Sequence, residues 1–241
     1  MNDIEKWFKS HQGRKIIKQS NYLNIYEKFF SRFRGLNPNI LEIGVCHGGS
    51  LELWRDFFGE GSIITGIDIN PKCKEAEGDQ ISVLIGDQTD IPFLEHVVNT
   101  VGSLDIIIDD GGHTMNQQIT TFNYLFPKLN NGGLYVCEDL HTSYFSKNYR
   151  GGLRRKGTFI EYAKSLVDHI HHHYVKKGET VIPQFKENIS SIHFYDSICI
   201  VEKNACEKPI SITSGQIEVE EMKRVSAIRH PRKWIQSKLQ N

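Results

Sequence analysis

Five short apolar runs, each with an acidic residue at or beside its carboxyl end, constrain the fold of this chain more than any other feature. The runs occupy residues 39–43, 63–67, 81–85, 104–108 and 134–137. They show little alternation of polar and apolar residues, which is typical of parallel strands covered on both faces. Amphipathic stretches at 50–58, 90–101 and 114–129 separate several of them and predict helices. Strands that alternate with helices predict an α/β doubly wound sheet.

The two ends of the chain complete this layout. Residues 1–34 carry aromatic and aliphatic side chains at spacings of three and four, which predicts helix, and residues 158–173 are also predicted to be helical. Two further strands, 189–195 and 198–202, are joined by only two residues, and so short a connection permits only antiparallel pairing. We therefore expect about seven strands, mostly parallel, that close with a C-terminal antiparallel hairpin.

Composition and charge exclude several classes of protein. The 241 residues contain 29 Lys plus Arg and 29 Asp plus Glu, and this balance argues against a nucleic acid as the partner. No apolar run approaches the length of a membrane span, and the N-terminus lacks a signal core, so a cytoplasmic location is expected. The five cysteines form no CxxC pair, which disfavours a disulfide framework or a cysteine zinc site.

The chain divides into three expected segments. They are a helical extension at 1–37, the sheet domain at 38–205 and a charged tail at 206–241. The aromatic face of the N-terminal helix packs either on its own core or on a second subunit, so a homo-oligomer is one of two outcomes.

Acidic residues gather at the predicted carboxyl ends of the strands, where open α/β sheets bind their ligands. They are Glu42, Asp68, Asp87, Asp109, Asp110, Glu138 and Asp139. Any one of them is explained about as well as an exposed loop residue or a helix cap. Stability alone does not favour so much clustered negative charge, so the set together predicts a binding site.

One half of this rim suits a nucleoside ligand. The glycine-rich turn at 44–49 lets a ligand approach the backbone, although it is neither GxGxxG nor a P-loop. Glu42 suits a cationic amine, and Asp68 suits the two hydroxyls of a ribose. Asp87 suits an exocyclic amino group. Amine, ribose and adenine are the parts of S-adenosylmethionine.

The other half of the rim suits a hard metal ion. The run DDGGH at 109–113, with Glu138 and Asp139, offers oxygen ligands of the kind preferred by Mg²⁺ or Mn²⁺. A metal there would hold a substrate hydroxyl and lower its pKa. His113 beside it is a candidate general base, with helix capping as the alternative.

Three weaker signals lie further along the chain. His141 and Tyr144 follow the fifth strand and line either a substrate pocket or an ordinary loop. The cluster His169 to His173 is read as the solvated end of a helix rather than as a metal site. The arginines of the loop 147–157 are read as solvated charge rather than as a phosphate site.

Five segments together resemble class I S-adenosylmethionine-dependent methyltransferases, which have a Rossmann-like fold, and most of all the metal-dependent sugar O-methyltransferases related to the macrocin and mycinamicin enzymes. They are LEIGVCHGGS (41–50), GIDI (66–69), GDQ (86–88), DDGGH (109–113) and EDLHTSY (138–144). The resemblance covers about residues 38–145, with the closing hairpin in support. It departs from many methyltransferases at Cys46-His47, where those have a third glycine.

The resemblance implies roles for individual residues. Contacts to S-adenosylmethionine are implied for Glu42, Gly44, Gly48, Gly49, Ser50, Asp68, Asp87 and Gln88, with Asp109 either touching the cofactor or supporting a metal ligand. Mg²⁺ ligands are implied at Asp110, Glu138 and Asp139, and a general base at His113. The implied reaction is methyl transfer to a hydroxyl of a sugar or glycan acceptor.

Other functions stay open at this point. An NAD-dependent oxidoreductase shares the strand, glycine turn and helix opening, but the absent GxGxxG and the final hairpin argue against it. A non-catalytic methyltransferase-like domain that binds a glycan or a partner is a second alternative. A catechol or other phenol as acceptor is a third. Residues 1–35 and 145–188 offer no motif that would identify the acceptor.

Overall fold

The structure is a computed structural model, and it describes residues 1–176, 183–185 and 188–216. The described residues up to 207 form one compact unit, and residues 208–216, which lie outside it, contain neither helix nor strand. The basic part of the expected tail lies outside the described residues. Within the described ranges, every helix is too short or too polar to span a membrane.

Seven strands form one sheet in the order β3-β2-β1-β4-β5-β7-β6. They are β1 (Asn39–Ile43), β2 (Ile63–Asp68), β3 (Ile81–Ile85), β4 (Leu104–Asp109), β5 (Leu129–Cys137), β6 (Ile189–Tyr195) and β7 (Ile198–Lys203). The first five pair in parallel, whereas β7 is antiparallel to both β5 and β6. The predicted doubly wound sheet with an antiparallel hairpin is therefore confirmed. The strand order reverses at β1 and β4, which is where open α/β sheets bind ligands.

Helices cover both faces of this sheet. They are α1 (Asp3–Ser10), α2 (Tyr22–Phe30), α3 (Gly49–Phe58), α4 (Ile91–Val101), α5 (Met115–Leu125), α6 (Phe159–Ser165) and α7 (Val167–Ile170). Successive side chains of a strand point to opposite faces of the sheet and pack against different helices. On β4, for example, Ile106 packs with α1 to α3 and Ile107 packs with α4 to α6. The ring of Trp54 on α3 lies 5.1 Å from that of Tyr26 and 5.4 Å from that of Phe30. The aromatic face of α2 thus packs on the chain's own core.

The prediction of continuous helix over residues 1–34 is wrong between α1 and α2. Residues 11–21 form an irregular segment, and His11 already has an extended backbone, with φ of −62° and ψ of 130°. The cause is tertiary, because the carbonyl groups of Arg14 and Lys15 pack directly against Gly49, where a Cβ would collide with them. The segment leaves the helical path to cover the glycine-rich turn.

Two other predicted helices are shorter than expected. The stretch 114–129 is α-helical only to Leu125, because Pro127 has no backbone N–H to continue the helical hydrogen bonds. A 3₁₀ turn follows at Phe126–Lys128, and β5 begins at Leu129. The stretch 158–173 is divided into α6, α7 and a 3₁₀ turn at His172–Tyr174.

Candidate active site

The glycine-rich turn brings the carboxyl ends of β1 and β4 into contact. Gly44 has φ of +92°, in the left-handed region that favours glycine, and a Cβ there would collide with the carbonyl oxygen of Asp110. The turn continues to Gly48, with φ of +85°, and Gly49 begins α3. The close approach of the two loops allows residues from both to line one cavity.

A cavity of about 270 Å³ lies beyond the ends of β1, β2 and β3. Four of the predicted cofactor residues line it, namely Gly44, Asp68, Asp87 and Gln88. A second cavity, of about 310 Å³, is lined by Gly49, Ser50 and the acidic residues Asp110 and Asp139. Both cavities share Gly44, Cys46 and Gly111, so they meet at the glycine-rich turn.

Asp68 and Gln88 also hold the cavity wall together. The Asp68 carboxylate accepts hydrogen bonds from the backbone N–H groups of Val45 (2.9 Å) and Cys46 (3.1 Å). The Gln88 amide donates to Asp109 (3.2 Å) and Thr121 (3.0 Å), and its oxygen accepts from the backbone of Gly112 (2.8 Å). The Gln88 side chain is therefore engaged in the loop.

Asp109 lies inside the protein, below the loop that carries Asp110. It is fully buried and accepts hydrogen bonds from the Tyr135 hydroxyl (2.9 Å) and from Gln88. Burial raises the pKa of Asp109 to about 7, against the lowering effect of these hydrogen bonds. The position fits support of the neighbouring loop better than direct contact with a ligand.

Asp110, His113 and Asp139 converge beside the second cavity. One ligand atom from each lies within 4.8 Å of the others. The His113 Nε2 atom is 3.7 Å from Asp110 Oδ1 and 3.5 Å from Asp139 Oδ2. His113 (φ +55°) and Asp139 (φ +54°) are both left-handed, a conformation that is unfavourable for non-glycine residues and that clusters at functional sites. The two carboxylates suit a divalent metal, and the imidazole of His113 lies beside them.

Glu138, the third predicted metal ligand, faces a buried lysine. Both of its carboxylate oxygens lie 3.0 Å from Lys18 Nζ, and one accepts a hydrogen bond from the Tyr26 hydroxyl (2.6 Å). Lys18 also contacts Asp110 Oδ2 (2.7 Å). Burial, followed by the charge of Asp110, raises the pKa of Glu138 to about 8.

Glu42, predicted to contact a cationic amine of the cofactor, is fully buried. Its oxygens lie 3.1 Å from Trp54 Nε1 and 3.5 Å from Lys18 Nζ. Burial raises the pKa of Glu42 to about 7, although Lys18 opposes the shift. Burial by itself lowers the pKa of Lys18. The negative charges of the facing carboxylates, of which Asp110 has the largest effect, outweigh the effect of burial and raise the pKa of Lys18 well above its usual value. The amine that Glu42 meets in this structure is thus the protein's own.

Sequence reasoning missed three residues of the N-terminal segment that reach this acidic centre. They are Lys18, Tyr22 and Tyr26. The Tyr22 hydroxyl accepts from the backbone N–H of Asp139 (3.1 Å) and donates to Asp139 Oδ1 (3.0 Å) or to the Ser197 carbonyl (2.8 Å). Tyr22 and Tyr26 lie four residues apart on one side of α2, and this spacing is the signal that could have found them. Lys18 lies in the irregular segment, where helical spacing gives no signal.

His141 and Tyr144 lie at the rim. His141 Nδ1 is 2.5 Å from Ser197 Oγ and 4.0 Å from Asp139 Oδ1. Tyr144 and Phe145 are each 50% exposed, and the ring of Phe145 lies 5.4 Å from that of His141. These groups leave an aromatic surface beside the acidic centre.

The prediction that the cluster His169 to His173 is the solvated end of a helix is wrong for two of its residues. His169 and His172 are buried rather than solvated, and burial lowers the pKa of His169. His173 Nε2 lies 3.0 Å from the Cys206 carbonyl. The ring of His169 lies 5.8 Å from that of the core residue Phe185.

No family model matches the sequence. The chain is 36% identical over 195 residues to the 8-demethyl-8-alpha-L-rhamnosyl tetracenomycin-C 2'-O-methyltransferase of Streptomyces olivaceus. The matched region covers 76% of this chain and 50% of that protein. It is 36% identical over 189 residues to the mycinamicin VI 2''-O-methyltransferase of Micromonospora griseorubida, covering 74% and 47%.

A solved structure of the MycE methyltransferase from the mycinamycin biosynthetic pathway, in complex with Mg and SAH, is also similar. The match has a TM-score of 0.77 and 32% identity, and covers 85% of this chain and 55% of that one. This chain therefore spans about half the length of the curated relatives that it matches.

Proposed function

This chain belongs to the class I methyltransferases and is related within them to the sugar O-methyltransferases of tetracenomycin and mycinamicin type, and from that premise we propose that it transfers a methyl group from S-adenosylmethionine to a hydroxyl of a sugar. The observation that carries this proposal is the meeting of two cavities at Gly44, Cys46 and Gly111. One is lined by the residues suited to a nucleoside, and the other by the convergent acidic centre.

The nucleoside cavity would hold the cofactor. The close backbone approach at Gly44, the ribose-type acid Asp68 and the exposed Asp87 carboxylate support this assignment. Gly48, Gly49 and Ser50 would border the methionine part, where the segment 11–21 covers the turn. Glu42 and Asp109, both fully buried, would act on the shape of the site and not by contact.

The acidic centre fits Mg²⁺ or Mn²⁺. Asp110 and Asp139 present carboxylate oxygens toward His113, and Glu138 completes the charge of the centre. The His113 Nδ1 atom is buried and, within the described part of the chain, has no hydrogen-bond partner, while Nε2 faces the two aspartates. When bound, the ion would withdraw electron density from an acceptor hydroxyl and make it more acidic.

His113 would then remove the acceptor's proton. The carboxylates of Asp110 and Asp139, 3.7 and 3.5 Å away, stabilise the imidazolium that forms. The acceptor oxygen forms a bond to the methyl carbon as the carbon–sulfur bond of the sulfonium breaks, so the products are a methyl ether, S-adenosylhomocysteine and a proton on Nε2. Since the reaction needs oxygen, carbon and sulfur in line, positioning by the two cavities would supply much of the rate.

A sugar-bearing small molecule is the proposed acceptor, because the acidic centre opens next to the aromatic surface of His141, Tyr144 and Phe145. Aromatic rings offer the apolar faces on which sugar rings pack, while the metal and His113 would select a hydroxyl. Both His141 and Tyr144 are thus proposed as acceptor contacts.

Calorimetric titration with S-adenosylhomocysteine, with NAD as the comparison ligand, tests the cofactor assignment. We expect binding of S-adenosylhomocysteine alone, followed by Mg²⁺-dependent methylation in a screen of glycosides and simple catechols. Binding of NAD alone would overturn the proposal in favour of an oxidoreductase. Cofactor binding without transfer to any acceptor would favour a non-catalytic binding domain.

A further inference from the structure

The N-terminal segment contacts every carboxylate of the proposed metal centre. Lys18 Nζ lies 2.7 Å from Asp110, and both Lys18 and the Tyr26 hydroxyl bind Glu138. The Tyr22 hydroxyl and Asp139 are joined by two short contacts, one through the backbone N–H and one through Oδ1. The three N-terminal residues are four positions apart, whereas their carboxylate partners come from two strand ends of the sheet.

In both Asp110 and Asp139, the two carboxylate oxygens have different partners. Asp110 presents Oδ2 to Lys18 and Oδ1 to His113. Asp139 presents Oδ1 to Tyr22 and Oδ2 to His113. In each carboxylate, one oxygen is held by the N-terminal segment and the other is directed at the point where the ligand atoms converge. This arrangement fixes the rotation of both side chains.

The donors are themselves held rigidly. Tyr22 and Tyr26 are fully buried, and the ring of Tyr26 packs edge-on against Trp54. The same helix places phenylalanine, which has no hydroxyl, at positions 29 and 30, and both rings are buried in the apolar core. Tyrosine occurs at the two helical positions whose hydroxyl groups reach carboxylates, so packing by itself does not account for the choice of residue.

We propose that Tyr22 and Tyr26 are positioning residues of the divalent-metal site, so that α2 sets the affinity of the sheet domain for its metal. The proposal rests on the metal assignment made under the proposed function. Groups that orient metal ligands in this way are worth about 10- to 100-fold in metal affinity.

The test is Mn²⁺ binding to the full chain, measured by the electron paramagnetic resonance signal of the free ion. Tyr22→Phe and Tyr26→Phe each delete one hydroxyl and keep the ring, and we expect each to weaken Mn²⁺ binding about 10- to 100-fold. Tyr162→Phe is the matched control, because the Tyr162 hydroxyl binds Asn123 Oδ1 (2.6 Å) outside the acidic centre. This control should keep the wild-type affinity.

The outcomes separate the two proposals. Affinity within about twofold of wild type in both tyrosine variants would overturn the positioning role, since that role requires a tenfold loss or more. An equal loss in Tyr162→Phe would also overturn it, because the cause would then be a general loss of stability. A wild-type chain that binds S-adenosylhomocysteine but not Mn²⁺ would remove the metal assignment itself and leave the cofactor assignment standing.

Discussion

Replacement of Lys18 by methionine should destabilise the folded chain severely at mildly alkaline pH. The Lys18 side chain is 2% exposed and is the cation facing Glu42, Asp110 and Glu138. Methionine keeps an unbranched stem of similar length but removes the charge. Loss of one partner from a buried ion pair leaves uncompensated charge and costs about 3–5 kcal/mol of unfolding free energy. We expect a loss of this size at about pH 8, because Glu42, with a pKa of about 7, is then largely ionised and Glu138, with a pKa of about 8, is about half ionised.

The assay is urea unfolding of both chains at about pH 8 and about pH 5, in buffer with a chelator. At the lower pH both glutamates are protonated in the folded state, so the loss should be clearly smaller. Lys15→Met is the control, because the Lys15 side chain lies in the same segment and is exposed. Its unfolding free energy should stay within about 0.5 kcal/mol of wild type.

A second substitution separates charge from packing. Glu138→Gln in the Lys18→Met chain removes one of the unpaired charges and should restore part of the lost stability. A loss below about 1 kcal/mol at about pH 8 would mean that the pair behaves like an exposed one and would refute the reasoning. An equal loss at both pH values, without recovery by Glu138→Gln, would assign the effect to packing of the lysine stem.

Three further predictions concern the site. His113→Ala should lower kcat about 100- to 10,000-fold and leave the calorimetric affinity for S-adenosylhomocysteine unchanged, and normal turnover would remove His113 from the mechanism. The unfolding free energy of the wild-type chain should fall as pH rises from about 5 through about 7, because the folded state holds protons on Glu42 and Asp109 that the unfolded state has already released. Asp109→Asn should flatten that fall in urea unfolding, and an unchanged slope would contradict the assignment. Gly44→Ala should abolish S-adenosylhomocysteine binding in calorimetry, because its Cβ would push the Asp110 loop away, and wild-type affinity would show that the loop yields at little cost.

Local patterns in the sequence determined the sheet and the acidic rim. The runs around Ile106 and Ile107 are apolar on both faces, and a strand with that property has to be covered by a layer of helices on each side. The carboxyl ends of parallel strands lie at one edge of the sheet, so Asp68, Asp87 and Asp110 had to lie along that edge once the strands paired. Both inferences need only neighbouring residues and the geometry of a parallel sheet.

Tertiary structure alone decided how the acidic residues are used. Lys18 reaches Asp110 across 92 residues and Glu138 across 120, and no local pattern records such a partner. The break in helix at 11–21 follows from contact with Gly49, and without that break Lys18 would not reach the sheet.

The sequence by itself therefore determined which strands form and where their acidic ends meet, since strand period and turn glycines act over a few residues. It did not determine that Glu42 faces a lysine, that Gln88 is engaged in the loop, or that tyrosines of α2 bind the carboxylates of the acidic centre. Those contacts depend on how side chains from distant segments pack together, and only the folded chain brings them within hydrogen-bond distance.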